Sequence, residues 1–141
     1  MATPDVKPQP AVLKPHEGRV LKAREIGINA QGNAALKASH CKDCDLKVFP
    51  PADVCPDCLS ANQQALHLGR SGKLYSYTQI HVAPPAWTVP YVIGYVDMPE
   101  GVRLFGKVQA DRIDALKMDM PVEVRIDESA GQHRYFFLPQ V

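Results

Sequence analysis

From residue 65 onward, apolar and polar positions alternate with the two-residue period of half-buried strands. Over 73–82, Leu74, Ser76, Thr78, Ile80 and Val82 share one face, and Tyr75, Tyr77, Gln79 and His81 share the other. Leu66-His67-Leu68 leads into this strand through the turn Gly69-Arg70-Ser71-Gly72. Residues 91–98 and 102–110 are two more strands, joined at Pro99-Glu100-Gly101, a hairpin signal. Asp111 caps a short helix that runs to Met118, because an aspartate accepts the free N–H groups at a helix start. Val122, Val124 and Ile126 then alternate with Glu123, Arg125 and Asp127, and 134–138 forms the last strand. Five strands with one short helix between them predict a small closed barrel of the OB type over 63–141.

Upstream the pattern changes. Residues 1–15 hold four prolines and few large apolar groups, the composition of an extended arm. Between 15 and 39 the anchors Val20, Leu21, Ile26, Ile28 and Leu36 are compatible with one or two short helices, interrupted by Gly27 and Gly32. The whole of 1–36 is therefore expected to be a partly helical N-terminal arm. It is too small to bury its apolar residues on itself, so it packs on the body or on a partner, the alternative being a free tail.

The segment 37–62 contains all four cysteines, arranged as Cys41-Lys42-Asp43-Cys44 and Cys55-Pro56-Asp57-Cys58. Two residues between paired cysteines let one tight turn aim both sulfurs at one ion, and two such turns complete a tetrahedral Zn²⁺ shell. A shell of four thiolates leaves no open position, so the site reads as structural. Two disulfides or a redox C-x-x-C pair are the alternatives, but disulfides need an oxidising compartment, and Met1-Ala2-Thr3-Pro4-Asp5 does not open a secretory signal. His40, next to Cys41, is a lesser candidate ligand. Leu46, Val48 and Phe49 read as a strand that Pro50-Pro51 ends. Knuckles of this kind favour glycine after each pair, where this chain has Asp45 and Leu59. Leucine tolerates the left-handed conformation poorly, so the second knuckle is expected to turn differently.

Composition narrows the function. Thirteen prolines favour short elements over long helices. No apolar run approaches the ~20 residues of a membrane helix, and thiols reserved for metal place the chain in the cytoplasm. The net charge is +1, and residues 81–141 carry six Lys/Arg against eight Asp/Glu. Nucleic-acid modules draw most of their affinity from a basic patch, so this balance counts against DNA or RNA. Tyr75, Tyr77, Tyr91 and Tyr95 are the best case for it, as base-stacking platforms. Trp87, the single tryptophan, lies in a loop stiffened by Pro84, Pro85 and Pro90. It either docks a partner, as interface tryptophans often do, or covers one end of the barrel. His16, His40, His67, His81 and His133 show no catalytic spacing; His81 is the one placed to meet a phosphate.

Several motifs, taken in order, resemble a known family. They are Cys41-x-x-Cys44, Val48-Phe49-Pro50-Pro51, Cys55-Pro56-x-Cys58-x-Ser60 and the run from Gly69-Arg70-Ser71-Gly72 to Tyr77-Thr78. Pro90-Tyr91-Val92-Ile93, Glu100-Gly101-Val102-Arg103-Leu104-Phe105-Gly106 and Met120-Pro121-Val122-Glu123-Val124 follow. Over roughly residues 36–139 the chain is similar to the zinc-ribbon plus OB-fold proteins associated with acyl-CoA enzymes. The resemblance implies a mainly β protein with a rubredoxin-like zinc ribbon over 37–62 and a five-stranded OB barrel behind it. It implies a small non-catalytic subunit beside a thiolase-fold catalytic subunit or an acyl-CoA hydratase, helping to hold the CoA ester. The chain departs from the family in lacking an aromatic-rich helical opening over 15–35. Thiolase chemistry needs a cysteine nucleophile, and all four cysteines are committed to metal, so the chain alone is expected to be inert. The alternatives from other classes are a free-standing single-strand nucleic-acid binder and a stand-alone acyl-CoA-binding protein.

Overall fold

A computed structural model describes residues 19–85, 87–110, 112–129 and 131–140. The strands are β1 (Arg19–Val20), β2 (Ile26–Ile28), β3 (Ala34–Cys41), β4 (Lys47–Val48), β5 (Gln63–His67), β6 (Ser71–Ile80), β7 (Tyr91–Asp97), β8 (Arg103–Val108), β9 (Pro121–Ser129) and β10 (Gln132–Pro139). The helical content among the described residues is two single 3-10 turns, Ala23–Glu25 and Ile113–Ala115.

The alternation seen from residue 71 onward closes a barrel. β6, β7 and β8 form an antiparallel meander. β10 meets β8 in parallel at Phe137 and Val108, pairs antiparallel with β9, and β9 returns to β6. The closed order β6-β7-β8-β10-β9 is the five-stranded barrel that the periodicity predicts. Inside lie Leu74, Val96, Leu104, Val122, Val124 and Phe137, all at or below 1% exposure. Gly106 makes room for this filling, since a Cβ there would lie 3.1 Å from ring atoms of both Tyr135 and Phe137. The hydroxyl groups buried with the core are satisfied, Tyr135 donating to the Phe105 carbonyl at 2.6 Å and Tyr77 to the Leu116 carbonyl at 2.9 Å.

Tyr77 corrects one sequence expectation. Strict alternation puts it opposite Leu74, yet both face the core. The β6–β7 register shifts between Leu74 and Ser76, so Tyr75 is an extra residue on β6 and every side chain after it changes face. The helix expected after Asp111 reduces to the turn Ile113–Ala115, and Asp111 itself lies outside the described residues.

The N-terminal arm also differs from expectation. Residues 1–18 lie outside the described residues. The rest is β1 paired with β10, the antiparallel hairpin β2–β3 and, where one or two short helices are expected, the single 3-10 turn Ala23–Glu25. Two β-branched isoleucines flank Gly27 in β2, and Asn29 Oδ1 accepts from the N–H groups of Gln31 and Asn33 to build the turn between the strands. Gly32 completes that turn at φ 81°. These local bonds satisfy the backbone without a helix.

β3 then runs on into the metal segment, with β4 and β5 flanking its second half. β5, in the segment that the sequence pattern assigns to the barrel, pairs along β3, from Lys37 opposite His67 to Cys41 opposite Gln63. Leu36 and Ala38 of β3, with Leu21 and Leu68, are buried in the same core that fills the barrel, and Phe49 packs on it. The Phe49 ring meets Tyr135 edge-on at 5.8 Å.

Candidate functional site

The two cysteine turns are built alike. In the first, the Cys41 N–H donates to the Leu46 carbonyl at 2.8 Å and the Asp45 N–H to the Cys41 carbonyl at 2.9 Å. In the second, the Cys55 N–H donates to the Ser60 carbonyl at 2.9 Å and the Leu59 N–H to the Cys55 carbonyl at 3.0 Å. Asp45 and Leu59 occupy equivalent places, at φ 68° and 63°. The second knuckle therefore does not turn differently. Leu59 adopts the left-handed conformation that glycine favours, at a cost of about 1–2 kcal/mol, and is 76% exposed.

β3 delivers Cys41, its knuckle delivers Cys44, and the second knuckle adds Cys55 and Cys58. The four sulfurs lie within 4.8 Å of one another. Cys41 and Cys58 are 3.5 Å apart, as are Cys44 and Cys55. These separations are far beyond a disulfide bond of about 2.05 Å, and near the roughly 3.8 Å edge of a tetrahedron with Zn–S bonds of about 2.3 Å. Cys55 Sγ also accepts from the N–H groups of Asp57 and Cys58, at 3.4 and 3.5 Å.

Electrostatics favours a divalent cation here. The Cys44 N–H holds the Cys41 thiol down to about 6, and the Cys58 N–H likewise lowers Cys55. Cys44 is pulled down by the Leu46 N–H, but the thiols of Cys55 and Cys58 outweigh this and push it up to about 12. One sulfur of each pair is prepared as a thiolate while neighbouring thiols resist losing their protons. A bound metal removes that repulsion. The donor set is complete with four sulfurs, so this is a structural zinc site, and the metal serves as a cross-link.

The surrounding polar groups hold the two knuckles together. The Ser60 hydroxyl donates to Asp43, and the Asn62 amide donates to the same carboxylate at 3.4 Å. His40 bonds Asp45 through Nε2 and stands outside the sulfur cluster, so it is not the alternative ligand. That bond comes first, and Lys47 second, in holding the Asp45 carboxyl below its ordinary value. The chain between the knuckles is tied down by Ser39, whose hydroxyl accepts the Ala52 N–H at 2.9 Å, and by Arg24, which donates to the Pro51 carbonyl at 2.9 Å.

The other residues singled out from sequence lie on the barrel. Trp87 is half-buried on the 81–90 loop, with its ring 5.6 Å from that of Tyr91. His81 is exposed just after β6. Tyr91 and Tyr95 lie on the outer wall, with Tyr75 beside them, whereas Tyr77 points into the core. Sequence reasoning did not single out the residues of β8 facing the same way. Register puts Arg103 opposite Asp97, Phe105 opposite Tyr95 and Lys107 opposite Ile93. The Tyr95 and Phe105 rings are 5.2 Å apart, Arg103 lies 3.7 Å over the Tyr75 ring, and Lys107 Nζ lies 3.8 Å over Trp87 and 4.4 Å over Tyr91. The alternation of Val102, Leu104, Gly106 and Val108 inward would have shown that Arg103, Phe105 and Lys107 share the outer face.

Comparison with known proteins agrees with this architecture. Residues 35–62 match the model of the ChsH2 rubredoxin-like zinc ribbon domain, and residues 66–127 that of the ChsH2 C-terminal OB-fold domain. The chain is 32% identical to benzoylsuccinyl-CoA thiolase subunit BbsA of Geobacter metallireducens over 64% of this chain and 61% of that one. It is 36% identical to the BbsA subunit of Thauera aromatica, over 57% and 56% of the two chains. It thus spans about three fifths of the length of these curated relatives. Among solved structures, one described as Ltp2-ChsH2(DUF35) aldolase superimposes with a TM-score of 0.64 at 30% identity, over 76% of this chain and 86% of that one. With its ribbon, its barrel and its four-sulfur cluster in the expected order, the chain belongs to the ChsH2 (DUF35) family of zinc-ribbon and OB-fold proteins.

Proposed function

We propose that this chain is a non-catalytic accessory subunit of a thiolase-type acyl-CoA enzyme, shaped by structural zinc and required for assembly with a thiolase-fold catalytic subunit. One observation carries the reading: all four cysteines of the chain converge on the metal cluster. Thiolytic cleavage of a β-oxoacyl-CoA proceeds through a cysteine nucleophile with an acid/base partner, so the nucleophile belongs to another chain. The names of the relatives, a thiolase subunit and an aldolase that pairs ChsH2 with Ltp2, support this division of labour. Benzoylsuccinyl-CoA, named in two of them, is the first acyl substrate to assay. In this reading the subunit also contributes to holding the CoA ester within the assembled complex. The complex works in the cytoplasm, where thiols stay reduced for metal; among the described residues, no helix is long and apolar enough to cross a membrane.

The test is recovery of the full chain from its native cells under gentle conditions, with mass spectrometry of what accompanies it. A near-stoichiometric thiolase-fold protein is expected, with thiolysis of β-oxoacyl-CoA that is lost when either chain is omitted. A chain recovered alone, carrying CoA ester by itself, or carrying nucleic acid would sink the reading.

A further inference from the structure

The outer wall of β6, β7 and β8 leaves a cluster of large aromatic side chains uncovered. Phe105 is 49% exposed, Tyr95 45% and Tyr75 43%, and the first two rings are in tilted contact. Trp87 and Tyr91 extend the wall towards the 81–90 loop. Protein interfaces are enriched in tyrosine, tryptophan, phenylalanine and arginine at their centres and depleted in lysine and acids at large. A contiguous exposed apolar patch rimmed by polar residues is the kind of surface that marks a binding face.

Charge identifies what covers it. Arg103 is already matched, donating to both carboxylate oxygens of Asp97 at 2.6 and 3.1 Å. Lys107 is not. Its Nζ is shielded from solvent under the Trp87 and Tyr91 rings and has no hydrogen-bond partner among the described residues. Burial holds its amine down to about 8. A cation held by two aromatic rings and by no acid fits a protein surface that is apolar around one carboxylate, because the charge-assisted bond then forms in a site the rings keep dry. A nucleic acid needs several free cations along its backbone, and among the described residues this wall offers, beside Lys107, the exposed Lys73 of β6 across the ladder from Asp97.

We propose that the outer wall of β6–β8 docks the catalytic subunit, which places a carboxylate against Lys107 as the half-buried Trp87 ring turns aside. This rests on the accessory-subunit reading and assigns that interface to one face of the barrel. Phe105 and Tyr95 supply the apolar anchor, and the zinc knuckles lie outside the contact.

The experiment uses the full zinc-loaded chain and the thiolase-fold subunit recovered with it. Because Trp87 is the single tryptophan, 5-fluorotryptophan labelling of this chain gives one ¹⁹F resonance, which should shift on docking. Phe105→Ser and Lys107→Met should each weaken the complex at least tenfold in titration calorimetry. Leu59→Ser, on the exposed second knuckle, should bind as wild type. Circular dichroism and zinc content, unchanged in Phe105→Ser, exclude a folding defect. Wall variants that bind as tightly as wild type would overturn the docking face while leaving the subunit reading intact. Loss of binding in Leu59→Ser alone would move the interface to the knuckle. A wild-type chain with no thiolase-fold partner would remove both the docking face and the subunit reading. Salt-dependent binding of a fluorescent dT oligonucleotide, or a homodimer, either one lost in Phe105→Ser, would give the wall to nucleic acid or to a second copy and so overturn the proposal.

Discussion

Removing the metal should unfold the ribbon and leave the barrel standing. The perturbation is Cys55→Ser, or stoichiometric stripping of zinc by a chelator. Within residues 42–62 the only buried side chain is that of Cys55. The segment therefore has no apolar core of its own, and the cross-link between its knuckles is the term that holds it. Structural zinc in such modules contributes about 10–16 kcal/mol, whereas an entire domain is stable by only about 5–15 kcal/mol. No other contact in the ribbon can make up that loss. The barrel is different, since Leu74, Val96, Leu104, Val124 and Phe137 close on one another whatever the ribbon does. Its own loss is the support of Leu36 and Ala38 from β3 and of Phe49 between the knuckles, a penalty of at least about 2–5 kcal/mol by analogy with deleting one buried leucine. It should unfold at lower denaturant, but in a transition of its own.

Amide hydrogen exchange separates the two outcomes. Amides in the β3–β5 ladder, from Lys37 to Cys41 and from Gln63 to His67, should lose protection by more than about a thousandfold, equivalent to roughly 4 kcal/mol. Amides shared by β7 and β8 should keep protection far above that of an unfolded chain. Retained protection in β5 after verified removal of zinc would refute the argument that the metal, and not packing, holds the ribbon. A single transition in which β7 and β8 exchange along with β5 would refute the independence of the barrel core.

Other substitutions and conditions test other parts of the structure. Phe137→Ala, which empties the centre of the barrel, should cost about 3–5 kcal/mol in guanidinium unfolding; a cost below ~1 kcal/mol would mean that the core is not packed as described. Leu59→Gly relieves about 1–2 kcal/mol of left-handed strain and returns roughly 0.5–1 kcal/mol to the flexibility of the unfolded chain. The net should be a gain of about 0.5 kcal/mol in ribbon stability by thermal melting, and a clear loss would contradict the knuckle geometry. Zinc affinity should fall as pH falls, more steeply below about 6. Above that value Cys41 is already a thiolate, held down by the Cys44 N–H, whereas below it one more proton must be displaced for each metal bound. Competition with a chromophoric chelator between pH 5 and 8 reads this slope directly, and a flat profile would remove thiolates from the binding step.

How much of this was legible in the chain depends on how local the controlling interaction is. Spacing alone picks out Cys41, Cys44, Cys55 and Cys58, because the reach of one tight turn decides whether two sulfurs face one ion. Alternation correctly places Val122, Val124 and Ile126, where β9 runs without interruption. It fails at Tyr77, because one extra residue at Tyr75 inverts the rest of β6, and bulges leave no mark in a two-residue period. It fails also at Leu59. Residue preference argues against a left-handed leucine, but the closing bond to the Cys55 carbonyl at 3.0 Å sets the turn regardless of the side chain.

The outer wall shows where such reasoning stops. Strand period and hairpin together bring Arg103, Phe105 and Lys107 to one side of β8, and they bring Tyr95 opposite Phe105. Neither tells where the Trp87 ring comes to rest, since residues 81–90 follow no period and their path depends on the body they lie against. Only the folded chain puts that ring 3.8 Å from Lys107 Nζ and so turns an ordinary surface lysine into a covered cation without a matching acid. The metal site and the wall thus differ in kind. The first is complete within the chain, every donor being supplied by two turns, and its role ends at holding the ribbon on the barrel. The second lacks a carboxylate that the described residues do not provide, and a surface incomplete in that way is explained most simply by a partner that completes it.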